Sequence, residues 1–93
     1  MIQSFRNKDL EGIWEGLFSK RFPRDIQRII KRKLVQINAA VDIRELKVPP
    51  GNRLEALKGA REGQWSIRVN DQWRVCFIWL EANAYEVELV DYH

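Results

Sequence analysis

The sequence predicts an α+β fold in which two N-terminal helices pack on one face of a twisted, mainly antiparallel sheet of four to five strands. Apolar residues recur at helical spacing between Leu10 and Ile37, and the cluster Val48-Pro49-Pro50-Gly51-Asn52 then stops any helix. Beyond it the apolar period changes to alternation, in segments close enough in sequence to pair as an antiparallel meander. Helices followed by a meander bury their stripes against one side of the sheet, leaving the other side for chemistry.

Residues 2–5 read as a short first strand. Leu10, Ile13, Trp14, Leu17 and Phe18 then follow helical spacing, giving a first amphipathic helix despite Gly12 and Gly16. Phe22-Pro23 ends that unit, and Pro23 suits the first turn of a second helix with the stripe Ile26, Ile29, Ile30, Leu34 and Ile37. Its other face carries Arg24, Arg28, Lys31 and Arg32. Residues 20–33 hold seven Lys and Arg against Asp25 alone, which makes a local basic field. That field fits a solvated helix face, a nucleic-acid surface or the docking site of an acidic protein.

Strands are expected at 53–58, 64–69, 73–80 and 84–90, with turns at 59–63, 70–72 and 81–83. In the middle pair, Trp65, Ile67 and Val69 alternate with Gln64, Ser66 and Arg68, and Trp73, Val75, Phe77 and Trp79 alternate with Arg74, Cys76, Ile78 and Leu80. A two-residue turn at Asn70-Asp71 would put Arg68 on the side of Trp73. A loop of three residues through Gln72 instead pairs Val69 with Trp73 and Arg68 with Arg74, gathering the aromatic residues under the helices and both arginines on the open face. Two guanidinium groups opposite one another repel unless an anion lies between them, which points to phosphate. The structural alternative is that each finds a carboxylate, Glu55, Glu62 or Glu86. Arg53, Lys58 and Arg61 add cations nearby.

At 93 residues the chain forms one domain, 1–93, which buries about 60–65% of its extended surface. The single Cys, Cys76, excludes an internal disulfide. No stretch has the roughly 20 apolar residues of a membrane span, and the start lacks the apolar region of a signal peptide, so a cytoplasmic protein without membrane contact is expected. A net charge of +3 only mildly favours a polyanionic partner. One histidine is too few for a metal site, and no phosphate-binding glycine loop or dinucleotide motif is present, so no metal or cofactor is expected. Cys76 lies mid-strand and Ser66 has no base near it in sequence, which disfavours a nucleophilic triad.

The sole histidine closes the chain in Asp91-Tyr92-His93, after a strand. Imidazole both gives and takes protons near neutral pH, so a tethered His93 beside Asp91 and Tyr92 suggests acid/base chemistry, against the plainer reading of a frayed tail. Arg and Lys with His, without metal, suit phosphoester cleavage in RNA, where the 2′-hydroxyl is the nucleophile and cations stabilise the phosphorane-like transition state.

The segments Pro49-Pro50-Gly51-Asn52-Arg53-Leu54-Glu55-Ala56-Leu57-Lys58-Gly59, Ser66-Ile67-Arg68-Val69-Asn70-Asp71-Gln72-Trp73-Arg74-Val75-Cys76-Phe77 and Val90-Asp91-Tyr92-His93 resemble the HigB-type toxins of the RelE superfamily. The resemblance implies a RelE-like fold and ribosome-dependent cleavage of messenger RNA. It also implies a HigA-like helix-turn-helix antitoxin as partner, with contact to operator DNA made through that antitoxin. On this resemblance Lys58, Arg68 and Arg74 bind or stabilise the scissile phosphate, and Asp91, Tyr92 and His93 handle proton transfer and substrate orientation. Several members of the family carry a histidine where this chain has Glu55. Glu55 then acts as general base with His93 as acid, or the roles are exchanged. A carboxylate beside cations is a weak base, which predicts a slower or more ribosome-dependent nuclease. The competing functions are a toxin of the same fold acting on DNA gyrase, and a non-enzymatic RNA- or ribosome-binding module working through the basic helix.

Overall fold

The computed structural model describes residues 1–91. Helices α1 (Lys8–Trp14) and α2 (Arg24–Ala39) precede strands β1 (Glu55–Ala56), β2 (Gln64–Arg68), β3 (Trp73–Leu80) and β4 (Asn83–Asp91). The strands make one antiparallel sheet in the order β1-β2-β3-β4. Ile26, Ile30, Leu34 and Ile37 of α2 form the expected stripe and pack with Leu10 and Ile13 of α1 against Ile67, Val75, Phe77, Val87 and Leu89 of the sheet. Each such side chain taken out of water contributes about 1.5–3 kcal/mol, so this single layer supplies most of the driving force.

The register of β2 on β3 is the one that places both arginines away from the helices. Arg68 faces Arg74, Ile67 faces Val75 and Ser66 faces Cys76, and the Val69 N–H donates to the Trp73 carbonyl at 2.9 Å. Asn70 builds the three-residue loop: its Oδ1 accepts from the backbone N–H of Gln72 at 2.9 Å and of Trp73 at 2.8 Å.

Four expectations change. The first helix stops early, because Gly16 takes a left-handed φ of 91° and the Gly16 and Leu17 N–H groups turn back to the carbonyls of Ile13 and Gly12, a Schellman cap. Leu17 and Phe18 therefore leave the apolar stripe and stand exposed. Residues 2–5 are not a full strand: they touch β4 through parallel bridges at Ile2–Ala84 and Phe5–Val87. The segment expected as a strand at 53–58 pairs only at Glu55 and Ala56, since Arg53 sits in the left-handed region and Lys58 caps a 3-10 turn at Gly59–Arg61. Pro23 precedes α2 as its N-cap rather than lying in its first turn.

Strand β4 carries a bulge that determines which of its side chains reach each face. Cys76 pairs with Glu88 but Ile78 with Tyr85, so Glu86 and Val87 together oppose Phe77. Glu86 adopts φ 51°, and its N–H donates to Ser4 Oγ at 2.8 Å. The extra residue flips the alternation, turning Val87 and Leu89 into the core and Glu88 and Val90 to the face away from the helices.

Lys33, counted in sequence among the cations of the basic helix, is buried and donates to Asn52 Oδ1. Asn52 in turn donates to Gln36 Oε1 at 3.0 Å and the Leu46 carbonyl at 3.1 Å, clamping the segment before β1 to α2. Burial first, then the positive charges of Arg32 and Arg68, holds the Lys33 ammonium below the usual lysine range.

A Cβ at position 16 would meet nothing within 4 Å, so Gly16→Ala tests the backbone alone. It is expected to lower stability by about 1–2 kcal/mol in urea unfolding, the cost of a left-handed φ for an L-residue.

Candidate functional site

The sheet face away from the helices is built from rows of cross-strand partners. The central row runs Glu55, Ser66, Cys76, Glu88, and the next runs Arg68, Arg74, Val90. Ser66 and Cys76 are fully buried although they face away from the helices, because the longer side chains around them close over the sheet. They form the floor of the site.

Arg74 is held from two sides. Its Nε donates to Ser66 Oγ at 2.9 Å, and one terminal nitrogen donates to the Arg53 carbonyl at 2.7 Å. The left-handed turn at Arg53 is what aims that carbonyl at the guanidinium. With only 9% of Arg74 exposed, the group is a desolvated, oriented cation rather than a flexible surface charge. Arg68, less buried, pairs with Asp71 in the loop, a carboxylate outside the three expected from sequence. Arg61 donates to Glu88 Oε1 at 2.7 Å and to Gln64 Oε1 at 3.0 Å, with Arg6 3.9 Å from the same Glu88 oxygen.

Among the expected residues, Arg68, Arg74, Arg61 and Glu55 come together on this face. Cys76 feels four charges at once. Burial pushes its thiol up most, Arg61 and Arg74 pull it down, and Glu88 and Glu55 push it up. Lys58 is exposed beside the 3-10 turn that carries Arg61, and Arg53, also exposed, contributes its carbonyl. Asp91 closes β4 opposite Trp73, with its carboxylate 3.3 Å from Gln72 Nε2. Strand alternation turns it to the side of Trp73 rather than of Arg74. Tyr92 and His93 lie outside the described residues. Arg24, Arg28, Lys31 and Arg32 ride on α2, on the opposite side of the sheet.

Sequence reasoning missed Ser66 as the partner of Arg74 and Glu88 as the partner of Arg61. The spacing carried a signal for Glu88: the core positions Ala84, Val87 and Leu89 step by three and then by two, as a bulge requires. Among the described residues no three His, Cys, Asp or Glu side chains gather to hold a metal ion, and no helix is long and apolar enough to cross a membrane.

This architecture is that of a RelE-like toxin. The solved structure of YafQ from E. coli strain BL21(DE3) superposes with a TM-score of 0.57 at 12% identity, over 98% of this chain and 91% of that one. Residues 3–93 match the model of the HigB-like toxins, described as RelE-like toxins of the type II toxin-antitoxin system HigB. The chain is 40% identical to Toxin HigB-1 of Vibrio cholerae serotype O1 over 85 residues, 90% of each protein. It is also 40% identical over 94 aligned positions, the whole of both chains, to a Proteus vulgaris protein named Endoribonuclease HigB. The protein belongs to the HigB-like family of type II toxins, and a type II toxin has an antitoxin as its partner.

Ser66→Ala removes the acceptor of Arg74 Nε and leaves a buried charged donor short of a partner. An unfolding free energy lower by about 1–3 kcal/mol is expected, largely recovered in Ser66→Thr. The buried Cys76 thiol is expected to resist iodoacetamide at pH 8 in the folded protein and to react once the chain is unfolded in urea, followed by mass spectrometry.

Proposed function

We propose that this toxin cleaves messenger RNA on the translating ribosome, without a metal ion and with the substrate's 2′-hydroxyl as nucleophile. The observation that carries the reading is the pairing of Arg68 with Arg74 across β2 and β3, with Arg74 oriented by Ser66 and the Arg53 carbonyl. Two adjacent cations on a sheet face form a cradle for one phosphate, and preorganised charge is worth most where transition-state charge develops. The Proteus vulgaris relative's name, an endoribonuclease, agrees with that chemistry.

In this reading Arg68, Arg74 and Lys58 bind the scissile phosphate and stabilise the phosphorane-like transition state, while Arg53 and Arg61 add positive potential. His93 and Glu55 move the protons, one as acid and the other as base, and Tyr92 orients the substrate, whereas Asp91, expected beside them, is turned to the side of Trp73 and takes no part. Glu55, in the same cross-strand row as Ser66, faces the side on which Arg74 lies. The antitoxin is of the HigA-like helix-turn-helix type, and the complex reaches operator DNA through it. The toxin acts in the cytoplasm.

The test is cleavage of a reporter messenger RNA in a translating extract, mapped by 5′ ends, beside the same RNA free of ribosomes and in chelator. Wild type is expected to cut only in the translating arm and with chelator present. Arg74→Ala is expected to lose about a hundredfold or more, as for other preorganised charge donors. Intact RNA with wild type, or undiminished cutting by Arg74→Ala, refutes the reading. His93→Ala is expected to lose a similar factor, in keeping with loss of an acid/base group, and full activity would remove His93 from the mechanism.

A further inference from the structure

Leu17 and Phe18 fit the apolar stripe of the first helix by sequence, yet the cap at Gly16 turns them outward, 66% and 56% exposed. They stand at the edge of a hollow of about 480 Å³ between α1 and α2, floored by Ile13 and flanked by Arg28 and Lys31. On α2, Val35 continues the same face at helical spacing from Arg28 and Lys31, and it too is about half exposed.

The rim is basic and ordered. The Arg24 guanidinium lies 5.0 Å from the Phe18 ring centre, and the Lys31 ammonium lies 4.5 Å from that of Trp14 while also bonding the Trp14 carbonyl. Residues 15–31 hold five cations against Glu15 and Asp25. An apolar centre inside a charged rim is the anatomy of a protein interface. Leu17 and Val35 offer neither a ring face nor a hydrogen bond, the two things by which RNA bases are held, and the Phe18 ring already carries the Arg24 guanidinium. Two copies of this chain would bring two basic rims together, whereas an acidic partner neutralises them.

We infer that this basic-rimmed apolar surface around Leu17 and Phe18 is where the antitoxin docks, through a segment presenting apolar anchors flanked by acidic side chains. The inference rests on the toxin reading only in so far as family membership supplies an antitoxin. The surface lies across the sheet from Arg68 and Arg74, so binding there and cleavage are separable.

The experiment titrates the full-length toxin with its own antitoxin by calorimetry and measures messenger RNA cleavage by the same preparations. The variants are Leu17→Ser/Phe18→Ser and Arg28→Glu, all at exposed positions. The double variant is expected to weaken the antitoxin complex by about thirtyfold or more, the loss that marks an interface anchor. Arg28→Glu is expected to weaken it by roughly tenfold, less so at high salt. Cleavage by either variant stays within about twofold of wild type. Unchanged antitoxin affinity in the double variant overturns the inference. So does lost cleavage with antitoxin affinity intact, which would assign the surface to the ribosome, or a wild-type dimer that the double variant dissolves. A wild type that binds antitoxin but cuts no RNA overturns the proposed activity while leaving the docking result to be read by itself.

Discussion

Asn70 shapes the loop that fixes β2 against β3, and through that register the side of the sheet on which every charge of the candidate site lies. Its side-chain oxygen takes the N–H groups of Gln72 and Trp73, so Val69 must meet Trp73 and Arg68 must meet Arg74. A slip of one residue would turn Arg68 toward Val75 and Phe77 and bring Ile67 out, at a cost of several kcal/mol for a guanidinium left in an apolar core. The packing of Ile67, Val75 and Phe77 under the helices and the exposure of the arginines are thus one constraint seen from its two faces.

Holding the two arginines together requires compensation, and the structure supplies it locally. Asp71, one residue beyond Asn70 in the same loop, pairs with Arg68, and the left-handed turn at Arg53 brings a carbonyl to Arg74. The first partner comes from the loop that joins β2 to β3, the second from the turn just before β1. The bulge at Glu86 completes the face from the other edge, because the flipped alternation delivers Glu88 to Arg61 instead of burying it. Ser4 pins that bulge, so the N-terminal segment, though barely a strand, helps determine the chemistry of the far face.

The α+β layering, the stripe of α2 and the register of β2 with β3 were legible in the sequence because burial dictates them. Period 3.6 and period 2 are read directly from Ile26 to Ile37 and from Trp65 to Trp79. What was not legible depends on backbone conformations that no side chain announces. Gly16 resembles the tolerated Gly12, yet only Gly16 takes a positive φ, and the helix ends there although Leu17 and Phe18 keep the apolar rhythm. The turn expected at 81–83 forms with Glu81 and Ala82 at positive φ, but Glu86 also adopts positive φ without the Gly or Asn that usually marks it, which hid the bulge. Lys33 read as one more solvated cation, and only the folded structure shows that Asn52 holds it inside. The arginine partners were missed for a related reason: Asp71 and a backbone carbonyl are neighbours by loop geometry, whereas Glu55, Glu62 and Glu86 were neighbours only by strand counting.

The proposed function places the RNA backbone at the Arg68–Arg74 pair. The most direct measurement follows the arginine Nε–Hε resonances of the toxin while a short RNA carrying a 2′-deoxy residue at its scissile position is added. The signals of Arg74 and Arg68 are expected to shift together with those of the Ser66 and Cys76 amides, while Arg24, Arg28 and Arg32 on α2 stay unmoved. Shifts confined to α2, with Arg68 and Arg74 unaffected at saturating RNA, would contradict it.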